Sequence, residues 1–268
     1  MTILDTIVEN KKVELDFLKH IFSENSWTEQ PFFSRGCYSL KESLSKSDTG
    51  IIAEFKRKSP SKGFIKEQAN PEEIVVGYEN NGASGVSILQ DMKFFGGGAK
   101  DMNSVRTTVH IPLLYKEFVI DEYQLLMAKA TGADVVLLIA SILSEQRCME
   151  LAKRIHELGM ESLLELHTEE EIGHINDYID IIGINNRNLK NFEVNLDASI
   201  LLAHKLPNDF VKISESGISE PETVVRLRNE GFRGFLMGEN FMKTPNPAIS
   251  LGDFIQNVRS LQKTTALC

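Results

Sequence analysis

A closed (β/α)8 barrel is the fold class this 268-residue sequence predicts, on three observations. Eight short apolar, β-prone runs follow one another from residue 50 onward; amphipathic segments carrying helix caps separate them; no compositional linker interrupts the series. An unbroken run of eight βα units favours closure over a doubly wound sheet. Strands are expected at 50–56, 85–90, 112–117, 134–140, 161–167, 181–186, 210–215 and 234–238. A single domain, 1–268, is expected, with 1–49 a helical extension and 50–268 the barrel and a C-terminal helix.

The extension reads as a helix over 3–22, with Ile7, Leu15 and Leu18 apolar, then a polar connection; it would cap the barrel. Glu9, Lys11, Lys12 and Glu14 make this terminus charged and unlike a secretory leader. Between the strands, Asn70-Pro71-Glu72-Glu73 supplies a cap, a proline at the first helical position and acidic residues in the first turn. Asp121 opens a helix over 122–130 that Gly132 stops. Ser144 opens another, with Leu151, Ile155 and Leu158 in one stripe before Gly159. Thr168-Glu169-Glu170-Glu171 and Ser219-Glu220-Pro221-Glu222 match the capping box.

Hydrophobic content of 42% and charged content of 25% fit an ordinary globular protein with ample core. A net charge of −9 argues against a general nucleic-acid or anionic-membrane surface, so an anionic substrate would need a local basic pocket. Cys37, Cys148 and Cys268 are widely spaced, without CxxC, and read as incidental thiols in a reducing compartment rather than metal or redox groups. No apolar stretch reaches membrane-spanning length, and the cytoplasm is the expected location.

The functional signal lies at the strands' C-terminal ends, where barrels of this class carry their active sites. Period-2 alternation puts Ile52, Glu54 and Lys56 on one face of the first strand. Lys116 ends the third strand, Glu165 the fifth, Asn185 and Arg187 the sixth, Glu215 the seventh. Any one of these, alone, reads equally well as a salt bridge plugging the barrel. As a set they put three carboxylates, three cations and an amide around one mouth, where burial can tune acids and bases. Ser214-Glu215-Ser216-Gly217-Ile218 and Met237-Gly238-Glu239-Asn240 follow the last two strands, a frequent phosphate position, with Lys56 and Ser59 completing a cradle. Helix capping is the plainer reading of each glycine turn taken singly. Arg57, Lys58 and Lys62 read as a solvated basic edge. Phe95, in Phe94-Phe95-Gly96-Gly97-Gly98, reads either as core packing or as one wall of an aromatic site, with Phe118 the opposite wall.

These motifs resemble the indole-3-glycerol phosphate synthase family. The resemblance rests on IIAEFKRKSPSKG (51–63), SILQDMKFFGG (87–97), PLLYKEFVIDEYQ (112–124) and GADVVLLIASIL (132–143). It continues through LLELHTEEE (163–171), IIGINNRNLKNFEV (181–194), ISESGIS (213–219) and FLMGENFM (235–242), in order, over about residues 1–260. It implies a carboxy-lyase of tryptophan biosynthesis, which turns 1-(2-carboxyphenylamino)-1-deoxyribulose 5-phosphate into indole-3-glycerol phosphate with loss of carbon dioxide and water. It implies no cofactor and no metal. Lys116 would be the general acid and Glu165 the general base. Lys56 would hold the anthranilate carboxylate, while which lysine serves which proton transfer stays open. Glu54 and Asn185 would orient these groups and the sugar hydroxyls, with Arg187 and Glu215 completing the polar shell. Phe95 and Phe118 would flank the ring; Ser59, Ser216, Gly217, Gly238 and Glu239 would line the phosphate side.

Asn188, Gly98 and Asn240 depart from the Asp, Ser and Ser usual in the family, which touches loop and phosphate details and no acid or base. The length leaves no room for a second barrel, so a single-function chain, monomeric or weakly dimeric, is expected. Two other readings are a sister isomerase barrel, which would rely on a Cys/Asp pair, and a non-catalytic phosphate-ligand binder.

Overall fold

The computed structural model describes residues 2–188 and 193–265. Eight parallel strands close into a barrel: β1 (Ile51–Phe55), β2 (Gly85–Leu89), β3 (Leu113–Lys116), β4 (Val135–Ile139), β5 (Glu161–Leu166), β6 (Ile181–Asn185), β7 (Val211–Glu215) and β8 (Gly234–Met237). Each falls within its expected range. Closure is made by β1, which pairs with β2 on one edge (Ile52↔Gly85) and with β8 on the other (Ile51↔Phe235).

The alternation seen in the sequence becomes two cores. Inward-facing Ile52, Leu114, Leu137, Leu163, Ile213 and Leu236 fill the barrel, while outward residues such as Ala53, Val86, Tyr115 and Leu164 pack beneath the helices. The extension holds three helices, α1 (Ile3–Ile21), α2 (Glu24–Thr28) and α3 (Leu40–Lys46). The polar connection is thus partly helical, and it plugs the barrel floor. Leu40 and Leu44 join the inner core, and the Glu161 carboxylate accepts the Leu40 and Lys41 N–H groups at 2.8 and 3.0 Å. Those N–H groups at a helix start have no partner within the helix, which is why an anionic side chain is stabilising there.

Outside the strands run α4 (Pro71–Asn80), α5 (Met92–Phe95), α6 (Ala99–Arg106), α7 (Glu122–Thr131), α8 (Glu145–Glu157), α9 (Leu196–Ala203), α10 (Pro221–Asn229), α11 (Glu239–Met242) and α12 (Pro247–Thr265). Asn70, Asp121 and Ser144 each cap as expected, Asp121 in a full box with Gln124. Gly132, at φ 92°, ends α7 in the left-handed conformation that glycine adopts without steric cost.

Three expectations change, and two features go beyond them. The Thr168 capping box forms, yet the segment it opens is a six-residue 3₁₀ helix, Glu169–His174, so the fifth unit lacks an α-helix. Only a few residues separate that segment from β6, and it carries no apolar stripe to bury. Ser219 does not cap α10: Pro221 takes the first helical position, which makes Glu220 the capping residue, and it supplies no side-chain bond. The turn after β1 is a small antiparallel ribbon, Lys58–Ser59 with Gly63–Phe64. Arg57 is no solvated edge; it forks onto Asp101 at 2.5 and 2.9 Å and donates to the Gly96 and Ala69 carbonyls. Lys11, within the charged N-terminus, is only 2% exposed. Cys148 is buried and Cys37 half-buried; Cys268 lies outside the described residues.

Candidate active site

The C-terminal ends of the strands surround a cavity of about 380 Å³ lined by Glu54, Lys56, Ser59, Phe95, Lys116, Phe118, Glu165, Asn185, Arg187, Glu215, Ser216, Gly217, Gly238 and Glu239. Every site residue expected from the sequence therefore reaches one hollow. A broader polar hollow of about 740 Å³, between His204, Lys212, Glu230 and Arg233, opens near the strands' N-terminal ends and holds none of them.

At its centre the Lys116 ammonium lies 3.0 Å from Glu165 Oε2 and 2.5 Å from Glu215 Oε2. Both carboxylates are at most 3% exposed. Burial alone would lower the Lys116 pKa; Glu165, Glu215 and Glu54 outweigh it and raise the pKa, so this lysine stays protonated rather than tuned toward neutrality. Burial pushes Glu165 up, but Lys116 and His167 with Asn185 hold it net below the usual carboxylate range, as an ion. Glu215 is raised, first by burial and then by the charge of Glu165, despite Lys116. One ammonium thus sits between an ionised carboxylate and one prone to hold a proton, an arrangement suited to passing protons in both directions.

Lys56, just past β1, pairs with Glu54 Oε1 at 2.7 Å. Asn185 donates to Glu165 Oε1 at 3.1 Å, and its own Oδ1 accepts the Arg187 N–H at 3.0 Å, which turns the chain after β6 across the mouth. After β7, Ser216 and Gly217 both take left-handed backbone angles, φ 70° and 71°. A Cβ at Gly217 would meet Val194 Cγ1 at 2.3 Å, and a serine held at positive φ costs about 1 kcal/mol or more. Lys62 ties up the Glu239 side chain at 2.5 Å, so Glu239 offers the cavity its backbone rather than its carboxylate. Ser59 Oγ is buried with no partner among the described residues and is free to donate. Among the described residues no set of three His, Cys, Asp or Glu is arranged to hold a metal.

Phe95 and Phe118 do not face each other across the cavity. Their rings touch at 6.0 Å and 34°, and so form one wall, because no aromatic ring fits between centroids that close.

Several contributors went unrecognised in the sequence. His167, one alternation beyond Glu165, lies with Nε2 3.3 Å from Glu165 Oε1, and extending the period-2 count by one step would have found it. Asn186 donates to Ser214 Oγ and to the Ser216 carbonyl at 2.9 and 2.7 Å, fixing the turn after β7. Gly183 leaves room for Glu215, since a Cβ there would meet Oε1 at 2.4 Å; glycine inside a strand is the sequence sign of such an approach. Ile3, Leu4 and Ile7 of α1 close the cavity's outer rim.

Comparison with known proteins agrees with this geometry. A protein-family model described as indole-3-glycerol phosphate synthase matches residues 4–254. The indole-3-glycerol phosphate synthase of Bacteroides thetaiotaomicron is 53% identical over 257 residues, covering 96% of this chain and 99% of that protein. That of Salinibacter ruber is 38% identical over 94% of both, and one from Prochlorococcus marinus 40% identical over 90% of this chain and 85% of its own. Among solved structures, a mutant tryptophan synthase α-subunit from Pyrococcus furiosus superposes with a TM-score of 0.61 at 15% identity, over 80% of this chain and 98% of that one, a likeness of fold. The match spans the barrel and the extension together, and the chain belongs to the indole-3-glycerol phosphate synthase family.

Proposed function

We propose that the chain closes the indole ring of 1-(2-carboxyphenylamino)-1-deoxyribulose 5-phosphate, with Lys116 and Glu165 as its acid and base. The observation that carries the reading is the Lys116 ammonium held between Glu165 and Glu215 at the centre of the mouth. The phosphate is held by the Ser216, Gly217, Gly238 and Glu239 backbone with Ser59 and Arg187, and the benzoate ring rests against Phe95 and Phe118. Lys116 protonates the ribulose carbonyl oxygen as the ring carbon bearing the carboxylate attacks that carbonyl carbon. Lys56, steadied by Glu54, holds the carboxylate until the C–C bond breaks and carbon dioxide leaves, which restores the aromatic ring. In the dehydration the tertiary hydroxyl departs as water with a proton from a lysine, and Glu165 removes the carbon-bound proton whose loss forms the indole double bond. Asn185 orients Glu165; Glu215 keeps Lys116 charged. Bringing two ends of one flexible molecule together supplies a further part of the acceleration.

Neither Cys37 nor Cys148 lines the cavity, which favours this over an isomerase that needs a cysteine acid. No helix among the described residues is long and apolar enough to cross a membrane, in keeping with a cytoplasmic location. A monomer or weak homodimer acting on a small phosphorylated molecule, apart from nucleic acid and membrane, completes the proposal. The test is the indole absorbance assay without added metal. Lys116→Met and Glu165→Gln are each expected to lose about 10²–10⁴-fold in kcat with unchanged circular dichroism. Near-normal turnover of either folded variant would refute these roles.

A further inference from the structure

A second buried ammonium stands behind the aromatic wall. Lys11, in the third turn of α1, places Nζ 3.0 Å from Asp91 Oδ2, 3.0 Å from Glu117 Oε2 and 2.8 Å from Glu14 Oε2. Asp91 is 1% exposed and Glu117 5%, so both carboxylates are cut off from water. Each spends its other oxygen on the wall. Asp91 Oδ1 accepts the Phe94 N–H at 2.7 Å and starts α5, the single turn that ends in Phe95. Glu117 Oε1 accepts the Phe118 N–H at 2.8 Å. The two loops follow different strands, and an ion pair from Asp91 and a hydrogen bond from Lys11 to Glu117 lead from both loops to one cation.

We propose that Lys11 is a positioning residue for the substrate's aromatic end: through Asp91 and Glu117 its ammonium sets the spacing and tilt of Phe95 and Phe118, without touching substrate. The inference rests on the reading of the cavity as a benzoate-binding site. Taking the cation away leaves two buried carboxylates unpaired, and relief requires that they move apart or take up protons. Either response shifts the loop that each one anchors. The helix itself keeps other anchors, since Lys19 pairs with Asp121 at 2.7 Å and the Tyr123 hydroxyl donates to the Phe22 carbonyl at 2.8 Å.

The experiment is Lys11→Met, assayed well below its unfolding midpoint, with anthranilate and inorganic phosphate as competitive probes of the two ends of the site. The expected result is a KM raised about tenfold and a kcat within about threefold of the parent, with anthranilate affinity down about tenfold and phosphate affinity unchanged. Emission from Trp27, which packs edge-on against Tyr123, is expected to stay constant and so to show that the extension remains docked. Equal loss of both probes, a fall in kcat alone, or unchanged KM would overturn the proposal. Should Lys11→Met fail to fold, Asp91→Asn keeps a capping oxygen while weakening the link, and the same pattern at smaller amplitude is required. A parent enzyme that forms no indole would instead refute the function itself.

Discussion

Lys116 and Glu117 adjoin at the end of β3, yet they belong to two different ion clusters. Lys116 points into the mouth, where its side chain is 14% exposed and its partners Glu165 and Glu215 border the cavity. Glu117 points away and meets Lys11, whose side chain is 2% exposed. Both clusters gather carboxylates around one ammonium, and in both lysines the carboxylates outweigh burial and raise the pKa. What separates them is access. The first can trade protons with a molecule that enters the barrel; in the second the ammonium is enclosed, and Asp91 and Glu117 spend their other oxygens on backbone N–H groups. Alternation along a single strand therefore divides one kind of ion cluster between chemistry and architecture.

The comparison can be tested through stability first. Lys11→Met is expected to cost about 3–5 kcal/mol, the range for removing one partner of a buried ion cluster. Lys116→Met should cost less, because Glu165 keeps its Asn185 donor and still faces His167, and Glu215 is prone to take up a proton. Urea unfolding of both variants checks this, and equal losses would erase the distinction.

Glu117 gives a pH test of intermediate size. Burial pushes its pKa up, Lys11 and the Phe118 N–H pull it down, and the net is a rise to about 7. The native state then binds this proton more tightly than the unfolded chain does. Its contribution to stability is complete below about pH 4.5, declines as pH rises, and is gone above about 7. Glu117→Gln should remove that slope, seen as an unfolding free energy that varies less with pH in the variant than in the parent across this window.

The smallest effect concerns the open cluster. Glu215→Gln deletes a carboxylate that raises the Lys116 pKa, so the alkaline limb of kcat/KM should move to lower pH. The acidic limb, set by Glu165, should remain below the ordinary carboxylate range because Lys116 and His167 still face it. A pH–rate profile of the variant measures both limbs, and an alkaline limb that stays in place would show that Glu215 does not govern Lys116.

The strands and the polar residues at their ends were legible because strand alternation is a local rule: once Ile52 faces inward, so do Glu54 and Lys56. Caps at Asn70, Asp121 and Ser144 were legible for the same reason, since each bond spans two or three residues. The departures came from pairings between distant positions. Nothing near Lys11 in sequence announces Asp91 or Glu117, and nothing near Arg57 announces Asp101. Phe95 and Phe118 were expected to face each other because no local rule fixes how two loops lean; the structure brings their rings together.

Closure of the barrel by β1 and β8 also shapes how the chain is made. β1 leaves the ribosome early, and its second hydrogen-bonding edge waits for Gly234–Met237, the last strand to emerge. Through most of synthesis the nascent sheet carries an unpaired border, the kind of template to which other chains can add. That border stays open until Gly234–Met237 is released, and a chain halted before Gly234 would carry the hazard permanently.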